Sequence, residues 1–141
     1  MPTSLHRMSY LSAATFQPLS LIGLAGLLAV CQSNNDRNGL TGALAVSSDR
    51  FFGVVEGPRD SLFNLVARLQ RDGRHRDIRI LELGPASARI FERWSLVADL
   101  VEPRLAISLA DVVMPDAIAV ETRVAMLEGL TRSLPQVGGL R

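Results

Sequence analysis

The side chains that could do chemistry in this chain of 141 residues are few: one cysteine, Cys31, two histidines, His6 and His75, one tyrosine, Tyr10, and one tryptophan, Trp94. A reactive thiolate needs electropositive surroundings. Cys31 instead closes the apolar run LSLIGLAGLLAVC at 19–31 and reads as a buried structural thiol. A lone cysteine excludes an internal disulfide and any cysteine-rich metal site, and it fits a reducing cytoplasm. Neither histidine has an obvious partner. His75 stands in RDGRHRD at 71–77, either a solvated basic loop or a grip on phosphate, for which the planar guanidinium of Arg74 is the better donor. There is no GxSxG, phosphate-binding GxxxxGK[ST], GxGxxG or metal-ligand cluster, so the residues do not point to an enzyme.

A second feature is RFFGVVEG at 50–57, a strand-like stretch with a glycine at its centre. Glycine inside a strand costs about 1 kcal/mol and marks a bulge, a close backbone approach or a lost functional group. Arg50, Phe52, Gly53 and Val55 meet four positions of an RNA-recognition consensus, but the positions whose rings would stack on bases hold Val54 and Gly57. With 5% aromatic residues and a net charge of +1, no nucleic-acid partner is expected. No membrane partner is expected either. Residues 19–31 are too short to span a bilayer, and Val30 is not the small residue that precedes an export cleavage site.

The elements that must position these residues follow from period and punctuation. The spacing of Met8 and Tyr10 predicts a strand over 4–12 with both on one face. Pro18 opens a helix to about Asn34, apolar almost all round, with Gly23 and Gly26 allowing close approach to a sheet or a flat ligand. A hairpin follows: a strand from Thr41 to Ser47, a turn at Ser48 and Asp49, and a strand over Phe51 to Glu56. After Gly57 and Pro58, Asp60 or Ser61 caps a helix whose Leu62, Leu65, Val66 and Leu69 share a face, ending near Asp72 and Gly73. IRILEL and WSLVADL are the last strands. The order βαββαββ predicts an α+β, ferredoxin-like sandwich, with two helices on one face of a mixed, mainly antiparallel sheet. Beyond Pro103 the chain turns helical, with Pro115 and Asp116 opening a helix to about Leu130. The organisation expected is a domain over 1–100 and a C-terminal helical extension over 101–141.

Taken together, LHRMSYLS, SNNDRNGLTGALAVSS, RFFGVVEGP, LQRDGRHRDIRIL and FERWSLV resemble the BLUF family, the sensors of blue light using FAD. The resemblance runs from about Leu5 to Val97, and NxxxGLTGxL, FFxxxEG and RDxRH occur together in family order. It implies FAD held between the two helices on one side of the sheet. It also implies that Tyr10 is the family's first-strand tyrosine and Asn35 its ring-binding asparagine. An amide carries both a donor and an acceptor and so suits the edge of a flavin; without the resemblance, Asn35 reads equally as a turn residue. Asn34 falls where the family often has histidine or asparagine. Arg74 and His75 match its RH pair, Trp94 its tryptophan on the last strand, and Leu96 stands in place of a frequent methionine.

Gly53 stands where the family has the glutamine that hydrogen-bonds the tyrosine and touches the flavin. Strand alternation puts Phe51, Gly53 and Val55 on one face, so the missing side chain leaves a gap beside Tyr10 that water or collapse must fill. The resemblance therefore implies a cytoplasmic FAD-binding photoreceptor-family protein that signals to an unidentified downstream protein, with its photoswitch impaired at Gly53. The alternative is a dimerisation or adaptor module without photoactivity. In the C-terminal segment, Leu105, Val112, Val113, Ile118, Val124 and Leu127 must cover either the free face of the sheet or a second subunit, and a homo-oligomer is expected.

Overall fold

The computed structural model describes residues 5–14, 39–47, 49–71, 73, 75–98, 104, 106–115 and 118–133. The expected helix over 18–34, with Cys31, lies outside the described residues. The strands are β1 (Leu5–Ala14), β2 (Thr41–Ser47), β3 (Arg50–Pro58), β4 (His75–Pro85) and β5 (Trp94–Ala98); the helices are α1 (Arg59–Arg71), α2 (Ala106–Val113) and α3 (Val120–Ser133). The strands form one sheet in the order β4-β1-β3-β2-β5. β1 pairs antiparallel with β3 and β4, β2 antiparallel with β3, and β2 parallel with β5. This is the expected mixed, mainly antiparallel α+β sandwich.

β3 lies at the centre of the sheet, and its residues 51–57 are all buried. A strand covered on both faces reads as a continuous apolar run, which is why RFFGVVEG shows no polar alternation. Its side chains divide by parity. Phe51 and Val55 join Met8, Tyr10, Leu44, Leu96 and Trp94 in one core layer, closed by Leu62 and Leu69 of α1. Phe52 and Val54 join Leu11, Ala43, Ala45 and Val97 in the other, closed by Leu109, Val112 and Val113 of α2 and Val124 and Leu127 of α3. The C-terminal segment thus covers the free face of its own sheet. Leu105 lies outside the described residues, and Ile118 is only half-buried.

Three local expectations are corrected. α1 begins at Arg59, directly after Pro58, so Asp60 lies inside the first turn and favours the helix dipole rather than capping it. The C-terminal segment forms two helices with Met114 and Pro115 after the first, and α3 opens at Val120 rather than at Pro115 and Asp116. Proline lacks the N–H a helix interior needs. The junction is held by the buried Arg123, whose Nη1 donates to the carbonyls of Asp111 (3.0 Å) and Val112 (2.6 Å), carbonyls that the end of α2 leaves without helical partners. Finally, part of the basic loop is strand: His75 and Arg76 open β4 opposite Ala14 and Ala13. Two register shifts against β1 bend this edge strand, and Asp77 takes a left-handed φ of 54° at one of them.

The connection between β4 and β5, residues 86–93, is tied to the centre of the sheet by one carboxylate. Glu56 is 0% exposed. It accepts hydrogen bonds from the backbone N–H of Ile90 (3.0 and 2.9 Å) and Phe91 (2.8 Å) and from Arg7 Nε (2.8 Å). Arg7 Nη2 donates onward to the Ala88 carbonyl at 2.7 Å. Arg89 reinforces the tie, donating to Thr41 Oγ1 (2.6 Å) and to the carbonyls of Glu56 and Gly39 (3.1 Å each). A buried charge is tolerated where charged and backbone donors surround it, as here. Glu56→Gln, which puts an NH2 group among these donors, is expected to lower folding stability by about 2 kcal/mol; an unchanged urea midpoint would show that the carboxylate does not hold the loop.

Candidate functional site

The site is a row of side chains running across the sheet beneath α1. Tyr10 on β1 lies opposite Gly53 on β3, Gly53 opposite Leu44 on β2, and Leu44 opposite Leu96 on β5. The next row brings Met8, Val55, Gly42 and Trp94 together. Tyr10, Leu44, Leu96 and Trp94 all belong to the core layer that α1 covers. Tyr10, Gly53, Trp94 and Leu96, more than 80 positions apart at the extremes of the sequence, are thus adjacent because four strands pair in one register. His75 opens β4 opposite Ala14. Asn34, Asn35 and Arg74 lie outside the described residues.

Two glycines set the local geometry. At Gly42 a Cβ would strike the carbonyl oxygen of Val54 and come within 2.9 Å of its carbon, so the GLTG stretch needs glycine for β2 to approach β3. At Gly53 the obstacle is a side chain. A Cβ there would overlap Cε1 of Tyr10 and lie 2.6 Å from Cζ and 2.8 Å from Oη. The gap expected beside the tyrosine is therefore closed by collapse: the phenol lies on the backbone of Gly53, where a longer residue would begin its side chain.

The same layer carries donors without acceptors. Trp94 is 7% exposed, and its Nε1 has no hydrogen-bond partner. Arg68, on α1 between the core-facing Leu65 and Leu69, has buried Nε and Nη2 atoms that also lack partners. Buried donors are nearly always paired, so these two side chains call for a ligand rich in acceptors. A flavin dinucleotide, with ring carbonyls and a diphosphate, has that chemistry. The residues present fit the cofactor. The sequence reading missed Arg68, although an arginine on the flank of the stripe Leu62, Leu65, Val66 and Leu69 is a visible signal.

The layer beneath α1 thus sets a tyrosine beside an indole and a guanidinium whose buried N–H groups lack partners, a chemistry that suits a flavin. Comparison agrees: the family model described as sensors of blue-light using FAD matches residues 5–97. The chain belongs to this BLUF family, and its cofactor is FAD. It is 30% identical over 97 residues to the photoactivated adenylate cyclase subunit beta of Euglena gracilis and 35% identical over 95 residues to subunit alpha. These alignments cover 68% and 67% of this chain but only 11% and 9% of those subunits. The fold matches the dark-state structure of the BLUF protein BlrB with a TM-score of 0.71 at 24% identity, covering 94% of this chain and 98% of that one. It also matches BlsA in its photo-activated state, with a TM-score of 0.73 at 20% identity and the same coverage.

Arg68→Met keeps most of the apolar stem and removes the unpaired nitrogens. It is expected to raise the stability of the flavin-free protein by about 1 kcal/mol, because an unmet buried donor is lost. FAD retention is expected to fall about ten-fold. Lower flavin-free stability together with unchanged FAD affinity would assign Arg68 to the fold alone.

Proposed function

We propose that this protein is an FAD-binding module of the blue-light sensor family that acts by protein–protein contact and whose photoswitch is disabled at position 53. The observation that carries this reading is Tyr10 lying directly on Gly53, in the core layer beneath α1. When bound, FAD supplies the absorption of blue light. The chain's residues supply the rest. Asn35, with Asn34 beside it, offers an amide to the ring edge. The resemblance assigns Arg74 and His75 to the ligand, and Arg68 is proposed as a further cationic donor. Trp94 and Leu96, both buried, line the same layer. Tyr10 is retained, but no amide at position 53 links its phenol to the flavin.

Signalling by contact is supported by what α2 and α3 do. They cover the sheet face opposite the site and pack on Phe52 and Val54, whose neighbours on β3 are Phe51, Gly53 and Val55. A change in β3 would therefore reach a surface that a partner protein could read. Leu109, Val112, Val113, Val124 and Leu127 are used within the chain, so the proposed homo-oligomer forms through other surface. The proposal places the protein in the cytoplasm, consistent with its lone cysteine. The cyclase activity named for the Euglena relatives is not proposed for this chain, which aligns with about a tenth of their length. No helix among the described residues is long and apolar enough to cross a membrane.

A second reading, an adaptor of the same fold without photoactivity, is favoured by the same glycine. The visible spectrum of freshly purified protein, dark and then under blue light, separates the two. The proposed function expects a flavin spectrum that bleaches or stays still. A colourless, well-folded preparation that refuses micromolar FAD moves the assignment to the adaptor, whereas a reversible red shift sinks the claim of a disabled switch.

A further inference from the structure

We propose that Tyr10 has been taken over as the packing partner of Gly53, so that the loss of the switch is a lock made by two residues rather than the deletion of one. This rests on the reading of position 53 given above and goes beyond it, because it assigns the tyrosine a new role and predicts that restoring a side chain at 53 fails while Tyr10 keeps its place.

Tyr10 and Gly53 are directly opposed across the β1–β3 ladder. The three nearest heavy atoms to a Cβ built at Gly53, its chain neighbours aside, all belong to the Tyr10 phenol. The ring therefore occupies the volume that the first carbon of a residue-53 side chain would take. An aromatic ring laid across a neighbouring strand's glycine covers that glycine's backbone and restores the packing its missing side chain forfeits. Nor is the phenol a loose end that swings aside. Tyr10 is 4% exposed and sits in a core layer with Met8, Leu44, Phe51 and Leu96, so displacing it forces a packed interior to shift.

The consequence is a reversal of sign. Gly→Ala in a strand ordinarily stabilises, since alanine loses less backbone freedom on folding. At position 53 it must destabilise, and only while the phenol is present. Two backgrounds tell these apart. With Tyr10 intact, Gly53→Ala is expected to lower the folding equilibrium constant about ten-fold or more in urea titrations of the full chain. In a Tyr10→Leu background, where no ring crosses to β3, the same change should be neutral or raise it a few-fold. If the single variant yields no folded protein, Tyr10→Leu/Gly53→Ala is compared with Tyr10→Leu: equal or greater stability supports the lock, and lower stability overturns it. Overturning it as well are a Gly53→Ala protein at least as stable as its parent, or the same penalty in both backgrounds. Gly53→Gln alone is expected to show no reversible red shift under blue light; a full shift with undiminished stability would mean that the phenol yields freely and the lock does not exist. A red shift in the unmodified protein would instead remove the disabled-switch reading, while the urea comparison would still decide the packing.

Discussion

The buried carboxylate of Glu56 is the anchor on which the arrangement of this sheet turns. It stands near the end of the central strand, at 0% exposure, and collects the amides of Ile90 and Phe91 and the guanidinium of Arg7. Without it, the connection from β4, at one edge of the sheet, to β5, at the other, would cross the end of the molecule with unpaired amides. With it, that connection enters β5 at a fixed height, and the register that places Trp94 opposite Gly42 and Leu96 opposite Leu44 follows. The site therefore depends on an ion-paired hydrogen-bond cluster outside its own row. A charge so placed is stable only while every donor keeps its position, which makes the cluster a specifying device as well as a stabilising one.

Burial of β3 on both faces is the second constraint. A central strand with layers above and below has no solvent-facing side on which a changed residue could be relieved. At Gly53 the missing volume had to be supplied from within the layer, and the phenol of Tyr10, directly opposite, was the side chain in reach. The same two-sided packing links the two layers: Phe51 and Val55 of β3 line the layer beneath α1, and Phe52 and Val54 support α2 and α3. A strand shared in this way couples the packing of one face to that of the other through neighbouring residues on one backbone.

Much of this was legible in the chain itself. Period-two runs bounded by Gly, Pro and Asp gave all five strands, and Leu62, Leu65, Val66 and Leu69 gave α1, because period and punctuation are local properties. The boundaries were less legible. β4 takes in His75 and Arg76 because pairing with Ala14 and Ala13 overrides their polar character, and the hold of Arg123 on the end of α2 spans a distance no local pattern encodes. Arg68 was passed over for a related reason: whether a guanidinium on the flank of a stripe is solvated or buried depends on what lies above it.

By itself, the sequence determined the class of fold and the family, since the spacing of NxxxGLTGxL, FFxxxEG and RDxRH is a fact of covalent order. Only the tertiary structure decided what fills the place of the absent side chain and what covers the second face of the sheet. Water, collapse, a second subunit and the chain's own helices are all compatible with the same string of residues. The choice among them is made by volume and contact between segments far apart in the chain: the phenol of Tyr10 reaches the backbone of Gly53, and α2 and α3 reach Phe52 and Val54, only once the strands have paired.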